Sequence, residues 1–383
     1  MAAPLHILLV SSTLDDDGGI PVCVAQLAAA LAGIGQRVEI TGQYASGIAP
    51  VIAADAASRG IEVTAYRRPW HLAGQLAAAG EVARLVAERA ATARAAGRRL
   101  VVHNHGVWVP TVLAAAHAAI ACGAHLVISP HGMLRAPALQ KSRLKKQIVF
   151  QAVLRRQLAA ADAIQATSQA EADDLRTLLP GCKPTIVPLG IVPPPAAPHP
   201  QRGPAGPRTA GYLGRMLPIK NLETLLHAWK TAAPHEWSLR IAGPGEPAYC
   251  RQLEALAGAL GLAGRVRIQP AVPHAALGEF FAGLDLFILP SRSEAFSLTV
   301  GEALAAGVPA ITTTAAPWEG VVAQACGWRV APEQSAIEQA IRAATACDPG
   351  ILATMGQRGA EWIHRDFNWQ AIAERHVREL YGG

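Results

Sequence analysis

The chain has 383 residues, 51% of them hydrophobic and only 16% charged, with a formal net charge of +6 at pH 7. So long and apolar a chain exceeds one comfortable core, suits two domains and excludes intrinsic disorder. The mild positive charge permits attraction to phosphate, anionic lipid or nucleic acid and demands none of them.

The opening stretch "MAAPLHILLVSSTLDDDGG" lacks the basic start and long apolar run of a signal peptide. No segment reaches the roughly 18 uninterrupted apolar residues of a membrane span, so a soluble, cytoplasmic protein is expected. Cys23, Cys122, Cys182, Cys250, Cys326 and Cys347 show no CxxC spacing and read as reduced, structural thiols.

In chain order, β-branched or leucine-rich runs predict strands over 5–11, 37–41, 61–65, 99–103, 125–129, 163–167 and 185–189. Alanine-rich helix patterns separate most of them. Apolar strands alternating with helices imply a parallel sheet covered on both faces. "GIGQRV" (33–38) lies at a helix end without a third glycine, so it reads as a helix stop, not a dinucleotide fingerprint. After the first strand, Asp15, Asp16 and Asp17 precede the pair Gly18-Gly19. A metal-binding DxD is one reading; the position before a glycine turn favours a solvated acidic loop.

His103, His105 and His131 fall just after neighbouring strands. HxH could bind zinc, but no further ligand cluster is visible and no metal is expected. The segment 140–164 reads as a basic amphipathic helix, carrying Lys141, Arg143, Lys145, Lys146, Arg155 and Arg156. Such a helix is either a solvated face or a contact with anionic membrane. The basic residues do not interleave with stacking aromatics, which disfavours nucleic acid.

The proline-dense stretch 191–208 predicts a semi-rigid linker between domains at 1–190 and 209–365, with a closing helix over 366–383. Strands resume at 209–214, 237–243, 265–269, 284–290 and 308–313. Two doubly wound domains would leave a cleft between them, with ligands at the carboxyl ends of the strands.

Two of the strand-end loops carry charge. In "GRMLPIKNLETLL", Gly214 permits the turn, Asn221 is placed to cap the next helix, and Arg215 and Lys220 stand five positions apart. A guanidinium fork and an ammonium on one loop suit a diphosphate, although a solvated loop would look the same. In "PSRSEAFSLTVGEALAAGVPAITT", Ser297 is a candidate N-cap and the helix runs from about 298 to 306, ended by Gly307 and Pro309. Glu294 then lies on the loop and Glu302 on the second turn. Between them the free N–H groups of 298–300 form an anion site. The alternative is a loop Glu and a helix Glu held in salt bridges.

Together these stretches resemble the retaining glycosyltransferases of family 4, which have the GT-B fold: two Rossmann-like α/β domains facing a central cleft. Glu294 and Glu302 match the E-x7-E hallmark, Arg215 and Lys220 the R-x4-K loop, and "IAGPGE" (241–246) the glycine turn of the nucleotide domain. The resemblance implies that Arg215 and Lys220 grip a donor diphosphate, Glu302 the ribose hydroxyls and Glu294 the donor sugar. It places Gly243 and the backbone of Ala295, Phe296, Ser297, Leu298 and Thr299 at the donor, with Gly18 and Gly19 approaching its phosphate. His131 would lie near the donor sugar as a catalytic-site residue beside Arg215, Lys220 and Glu294. His105 and Trp108 either face the acceptor or simply pack and cap the strand end.

Two departures stand out: Ser297 replaces a frequent glycine, and "TTAAPWEG" replaces a glycine-rich loop, so that Trp318 either shapes the site or closes the core. The implied activity is transfer of a sugar from a GDP- or UDP-linked donor, without metal or other cofactor, to a glycan or polyprenyl-diphosphate-linked acceptor in cell-surface polysaccharide assembly. A membrane contact through 140–158 would suit such an acceptor. Other readings are a non-catalytic sugar-nucleotide sensor and a GT-B epimerase.

Overall fold

A computed structural model describes residues 5–15, 19–140, 142–197 and 207–382. The chain divides into two compact units, one comprising 1–190 and 369–383, the other 191–368.

The first unit is built on β1 (His6–Ser11), β2 (Arg37–Tyr44), β3 (Glu62–Arg67), β4 (Leu100–His105), β5 (His125–Ser129), β6 (Ala163–Ala166) and β7 (Thr185–Ile186). They form a seven-stranded sheet in the order β3-β2-β1-β4-β5-β6-β7, parallel throughout. Along β1, Leu8 and Val10 enter one core cluster while Ile7 and Leu9 enter another. Side chains alternate across a strand, so a continuous apolar run is what a sheet buried on both faces requires.

The second unit contains β8 (Arg208–Leu213), β9 (Trp237–Ala242), β10 (Val266–Gln269), β11 (Leu286–Leu289), β12 (Ala310–Thr313) and β13 (Gly327–Val330). Their order is β10-β9-β8-β11-β12-β13. The last strand has no counterpart among the sequence expectations. "GWRV" is half-buried and starts on a glycine whose Cβ would strike the Ala310 carbonyl of the neighbouring strand. Close backbone approach, not apolar patterning, defines it.

Both sheets reverse their order beside their first strand, at β1/β4 and at β8/β11. Loops leaving the carboxyl ends of such strand pairs are neighbours, and that is where open α/β sheets bind ligands.

Three expectations change. The strand foreseen over 185–189 is confined to Thr185–Ile186, since Pro188 has no N–H to give to a ladder. The basic segment is not one helix. Helices Ala136–Gln140, Arg143–Val149 and Arg155–Ala160 are interrupted by the left-handed Ser142 (φ 57°) and a π-turn at Phe150–Leu154. The closing helix starts at Trp369 and ends in a second π-turn, His376–Leu380. Among the described residues no helix is long and apolar enough to cross a membrane.

Candidate active site

In the second unit the loop leaving β8, on one side of the switch point, is shaped by two glycines. Gly214 and Gly243 end β8 and β9 at φ 150° and 151°, and a Cβ on Gly243 would collide with the Gly214 carbonyl. The backbones touch there, and Met216 N–H donates to Pro244 O at 2.7 Å. The loop after β8 therefore leaves at a defined angle. Tyr212, wholly buried, donates its hydroxyl to the Arg215 carbonyl at 2.9 Å, which leaves the Arg215 side chain exposed and without a partner among the described residues.

Lys220 sits on a short 3-10 turn, Pro218–Lys220, and reaches the loop after β11. Its Nζ lies 2.6 Å from Glu294 Oε1, and Ser291 Oγ donates to the same oxygen at 2.6 Å. The Glu294 side chain is only 7% exposed, so this pair is largely withdrawn from water. Sequence reasoning joined Arg215 with Lys220 and Glu294 with Glu302; the structure joins Lys220 with Glu294. Ser291 was missed, having no spacing signal of its own.

Asn221 does not cap the helix Leu222–Ala232 through its side chain. It adopts the left-handed conformation (φ 61°), is fully buried, and donates Nδ2 to Pro290 O at 3.0 Å and Pro332 O at 2.9 Å. Asparagine tolerates that conformation better than most residues. Here it ties the cation loop to the loop that carries Glu294.

The helix Leu298–Ala305 begins at Ser297, which occupies the N-cap position without a side-chain cap bond. Ser297 has φ 72°, a backbone conformation that favours glycine. The departure noted in the sequence thus falls on the residue with the strained backbone. Trp318 resolves into both proposed roles. It is 1% exposed, packs on Phe296, Trp362 and Phe367, and donates Nε1 to Phe296 O at 2.7 Å and Ser297 O at 3.2 Å. The indole closes the core and holds the turn that starts the helix.

Glu302 points from that helix with no partner among the described residues, and burial alone pushes its pKa up to about 7. An apolar setting disfavours the charged form. Ala295, Leu298 and Thr299 are partly exposed beside it, and Phe296 is buried.

In the first unit, His103 and His105 lie within β4, not after it, and His131 follows β5. His105 Nδ1 and His131 Nε2 are 2.9 Å apart with the rings stacked, while His105 Nε2 is buried without a partner. His105 is 2% exposed and so presents no surface to an acceptor; Trp108 is half-exposed and donates Nε1 to Met133 O at 3.2 Å. Of the two alternatives for His105, packing is the one its burial matches: His103 and His105, two positions apart on β4, lie on one face of the strand and are both buried. Burial holds His105 well below the ordinary histidine range and His131 at about 4. Both are therefore neutral imidazoles at pH 7. His131 itself has φ 51° and stays partly exposed.

The turn carrying His131 is fastened by Glu171, another residue not foreseen. Its buried carboxylate accepts from Gly132 N–H at 2.5 Å, Thr167 N–H at 2.8 Å and Thr167 Oγ1 at 2.7 Å, while Ser168 Oγ accepts from Glu171 N–H. The S-x-x-E capping pattern of "SQAE" would have flagged it. Asp15 is not a solvated acid: it is 2% exposed and accepts from Ala45 N–H and Ser46 N–H at 2.7 and 2.8 Å. Gly19 opens the helix Gly19–Gly33; Asp16, Asp17, Gly18 and Lys141 lie outside the described residues.

This architecture recurs in solved structures. Sucrose-phosphate synthase from Thermosynechococcus elongatus is 21% identical with a TM-score of 0.73, the match covering 98% of this chain and 99% of that one. Anabaena HepE, solved with UDP and glucose, is 18% identical with a TM-score of 0.75, covering 99% and 100%. Paired parallel sheets of this topology define the GT-B class. In sequence, residues 18–190 match the family described as "Glycosyl transferase 4-like domain" and 198–362 that described as "Glycosyl transferases group 1". The D-inositol 3-phosphate glycosyltransferase of Xylanimonas cellulosilytica is 30% identical over 392 residues, spanning 94% of this chain and 90% of that protein. The chain belongs to the group 1 glycosyltransferases, the family-4 type of GT-B enzyme.

Proposed function

We propose that this glycosyltransferase moves a sugar from a UDP- or GDP-linked donor to a hydroxyl of a glycan or lipid-linked acceptor in cell-surface polysaccharide assembly, with retention and without a metal. The observation that carries this reading is the Lys220–Glu294 pair, 2.6 Å apart at the switch point, directly before the helix that begins at Leu298. Solved structures of Anabaena HepE hold UDP or UDP-glucose, which supports a nucleotide-sugar donor on the same fold.

As the bond from sugar to diphosphate lengthens, negative charge grows on the leaving oxygens. Arg215 has a free guanidinium to offer them, Lys220 has two N–H bonds beyond the one to Glu294, and the helix N-terminus adds unpaired N–H groups. Those donors supply charge stabilisation that needs no cation. Glu294 orients donor-sugar hydroxyls, Glu302 takes the ribose hydroxyls, and the outward edge of neutral His131 meets the sugar. Gly243 and the backbone of 295–299 line the donor. Trp108 is the acceptor-side ring that remains accessible. Membrane contact through 140–158 belongs to the same reading, with Leu144 and Ile148 exposed among its cations.

Thermal shift with UDP, GDP and their sugar conjugates tests the donor site, on wild type and Lys220→Ala and with EDTA throughout. Stabilisation by one nucleotide series, lost in the variant, is expected because a ligand of the folded state raises its stability. No shift with either series, or an unchanged shift in Lys220→Ala, removes the phosphate clamp.

A further inference from the structure

A pocket in the first unit is lined by none of the residues assigned above. Ala45, Arg67, Arg68, Pro69, Trp70 and Gln75 line about 780 Å3 of open space. Ala45 follows β2 and Arg67 ends β3, so the pocket is at the carboxyl edge of the sheet, the ligand-binding edge of such folds.

Its walls are built, not loose. Arg68 N–H donates to Tyr44 O at 2.6 Å, Gln75 Nε2 to Pro69 O at 3.2 Å, and Gly74 N–H to His71 Nδ1 at 3.0 Å. A Cβ on Gly74 would stand 2.6 Å from Pro69 Cβ, so the turn closes tightly on itself. Beneath, Asp15 pins the backbone of Ala45 and Ser46.

That rim holds Trp70 in water at 99% exposure, followed by Leu72 at 68% and Leu76 at 57%. Leu72 and Leu76 are one helical turn apart and share a face. Four other tryptophans are core residues, Trp229, Trp237, Trp318 and Trp362 being at most 7% exposed, and Trp108, Trp328 and Trp369 are partly buried. Arg67 and Arg68 are exposed, no partner of either guanidinium is found among the described residues, and no acid lines the pocket. Two unpaired guanidinium forks select phosphate over a hydroxyl. An indole and two leucines beside them select hydrocarbon, and an exposed apolar patch of this kind marks a binding surface. The two chemistries side by side describe an amphiphile with a phosphate at its head.

We propose that this pocket holds the phosphate of a lipid-linked acceptor on Arg67 and Arg68, with the hydrocarbon chain against Trp70, Leu72 and Leu76. The assignment rests on the reading that the enzyme glycosylates such an acceptor, and adds a lipid contact at 67–76 to the membrane contact proposed through 140–158.

Trp70 reports on its own pocket when the emission of a Trp70→Phe variant is subtracted. Three probes are titrated: farnesyl diphosphate, inorganic pyrophosphate, and vesicles of phosphatidylglycerol. Farnesyl diphosphate is expected to shift the difference emission to shorter wavelength. The Arg67→Gln/Arg68→Gln variant should need at least about tenfold more ligand, and so should pyrophosphate on the wild type. An equal response in the double variant overturns the arginine assignment. Pyrophosphate acting as well as farnesyl diphosphate reduces the pocket to a soluble-phosphate site, and a response to vesicles alone makes it a bilayer-docking surface; either outcome overturns the proposal. Nucleotide thermal shift on the same proteins keeps the two readings apart. It is expected unchanged in the double variant, and its loss in the wild type sinks the donor reading while leaving the pocket data standing.

Discussion

Glu302 keeps a carboxyl on an otherwise apolar helix, where burial raises its pKa from 4.5 to about 7 and no partner opposes the shift. Between those values the folded protein holds a proton that the unfolded chain has released, so this group's contribution makes stability fall as pH rises through that window. Glu302→Gln should therefore match the wild type near pH 4 and exceed it by about 3 kcal/mol at pH 8, as read by urea unfolding at the two pH values. On the donor reading the same variant loses nucleotide affinity, since an amide offers ribose one acceptor oxygen in place of two. Ser297 carries the opposite kind of strain, in its backbone at φ 72°. Ser297→Gly should raise stability by about 1 kcal/mol, the cost of a side chain in the left-handed region, and leave the nucleotide thermal shift intact. A loss of stability would mean that its 3.3 Å contact with Thr299 outweighs the strain.

At the scale of elements, the donor loops depend on how closely strands meet. Gly243 touches the Gly214 carbonyl where β9 passes β8, so Gly243→Ala must separate the two strand ends and rotate the loop bearing Arg215 and Lys220. A destabilisation of about 3 kcal/mol is expected, together with loss of nucleotide binding; a variant that keeps the wild-type Tm would show that the loops do not rely on this contact. The helix Leu72–Ala95 is locked to the sheet in the same spirit. Buried Glu39 on β2 receives His6 of β1 at 2.8 Å and Arg89 of that helix at 2.5 Å. Burial raises its pKa, but the bonds from His6 and Arg89 prevail and hold it at about 2. The stability this cluster supplies is present above the ordinary carboxyl range and lost as pH falls toward 2.

For the whole molecule, the telling feature is the return of residues 369–383 to the first unit. Ile372, Ala373, Leu380 and Tyr381 complete one of its cores. Tyr381 Oη lies 2.8 Å from His103 Nδ1, His125 Nε2 contacts Leu380 O at 2.7 Å, and Arg99 donates to the Tyr381 carbonyl. A Cβ on Gly190 would collide with the Trp369 ring. Truncation after Asn368 should uncover this core and leave His103 short of a partner, lowering the stability of the first unit by more than the about 3 kcal/mol typical of one large buried side chain. Hydrogen exchange is expected to show the loss confined to 1–190, with β8–β13 protected as before. Equal loss in both units would mean that they unfold as one.

Pattern determined the alternation of strands and helices, the two-domain division and the order of the loops, because apolar periodicity and proline-rich composition are local properties. The spacing of Arg215, Lys220, Glu294 and Glu302 was equally legible, since a loop and the first turns of a helix impose fixed offsets. Pairing was not. That Lys220 meets Glu294 across 74 positions, that Asn221 spans to Pro290 and Pro332, and that His105 faces inward onto His131 depend on which strands are neighbours. The strand order, with its reversals at β1/β4 and β8/β11, is decided by how the two faces of each sheet are covered. Burial is likewise a tertiary quantity. Only the packed molecule withdraws Asp15 and His105 from water and leaves Trp70 in it.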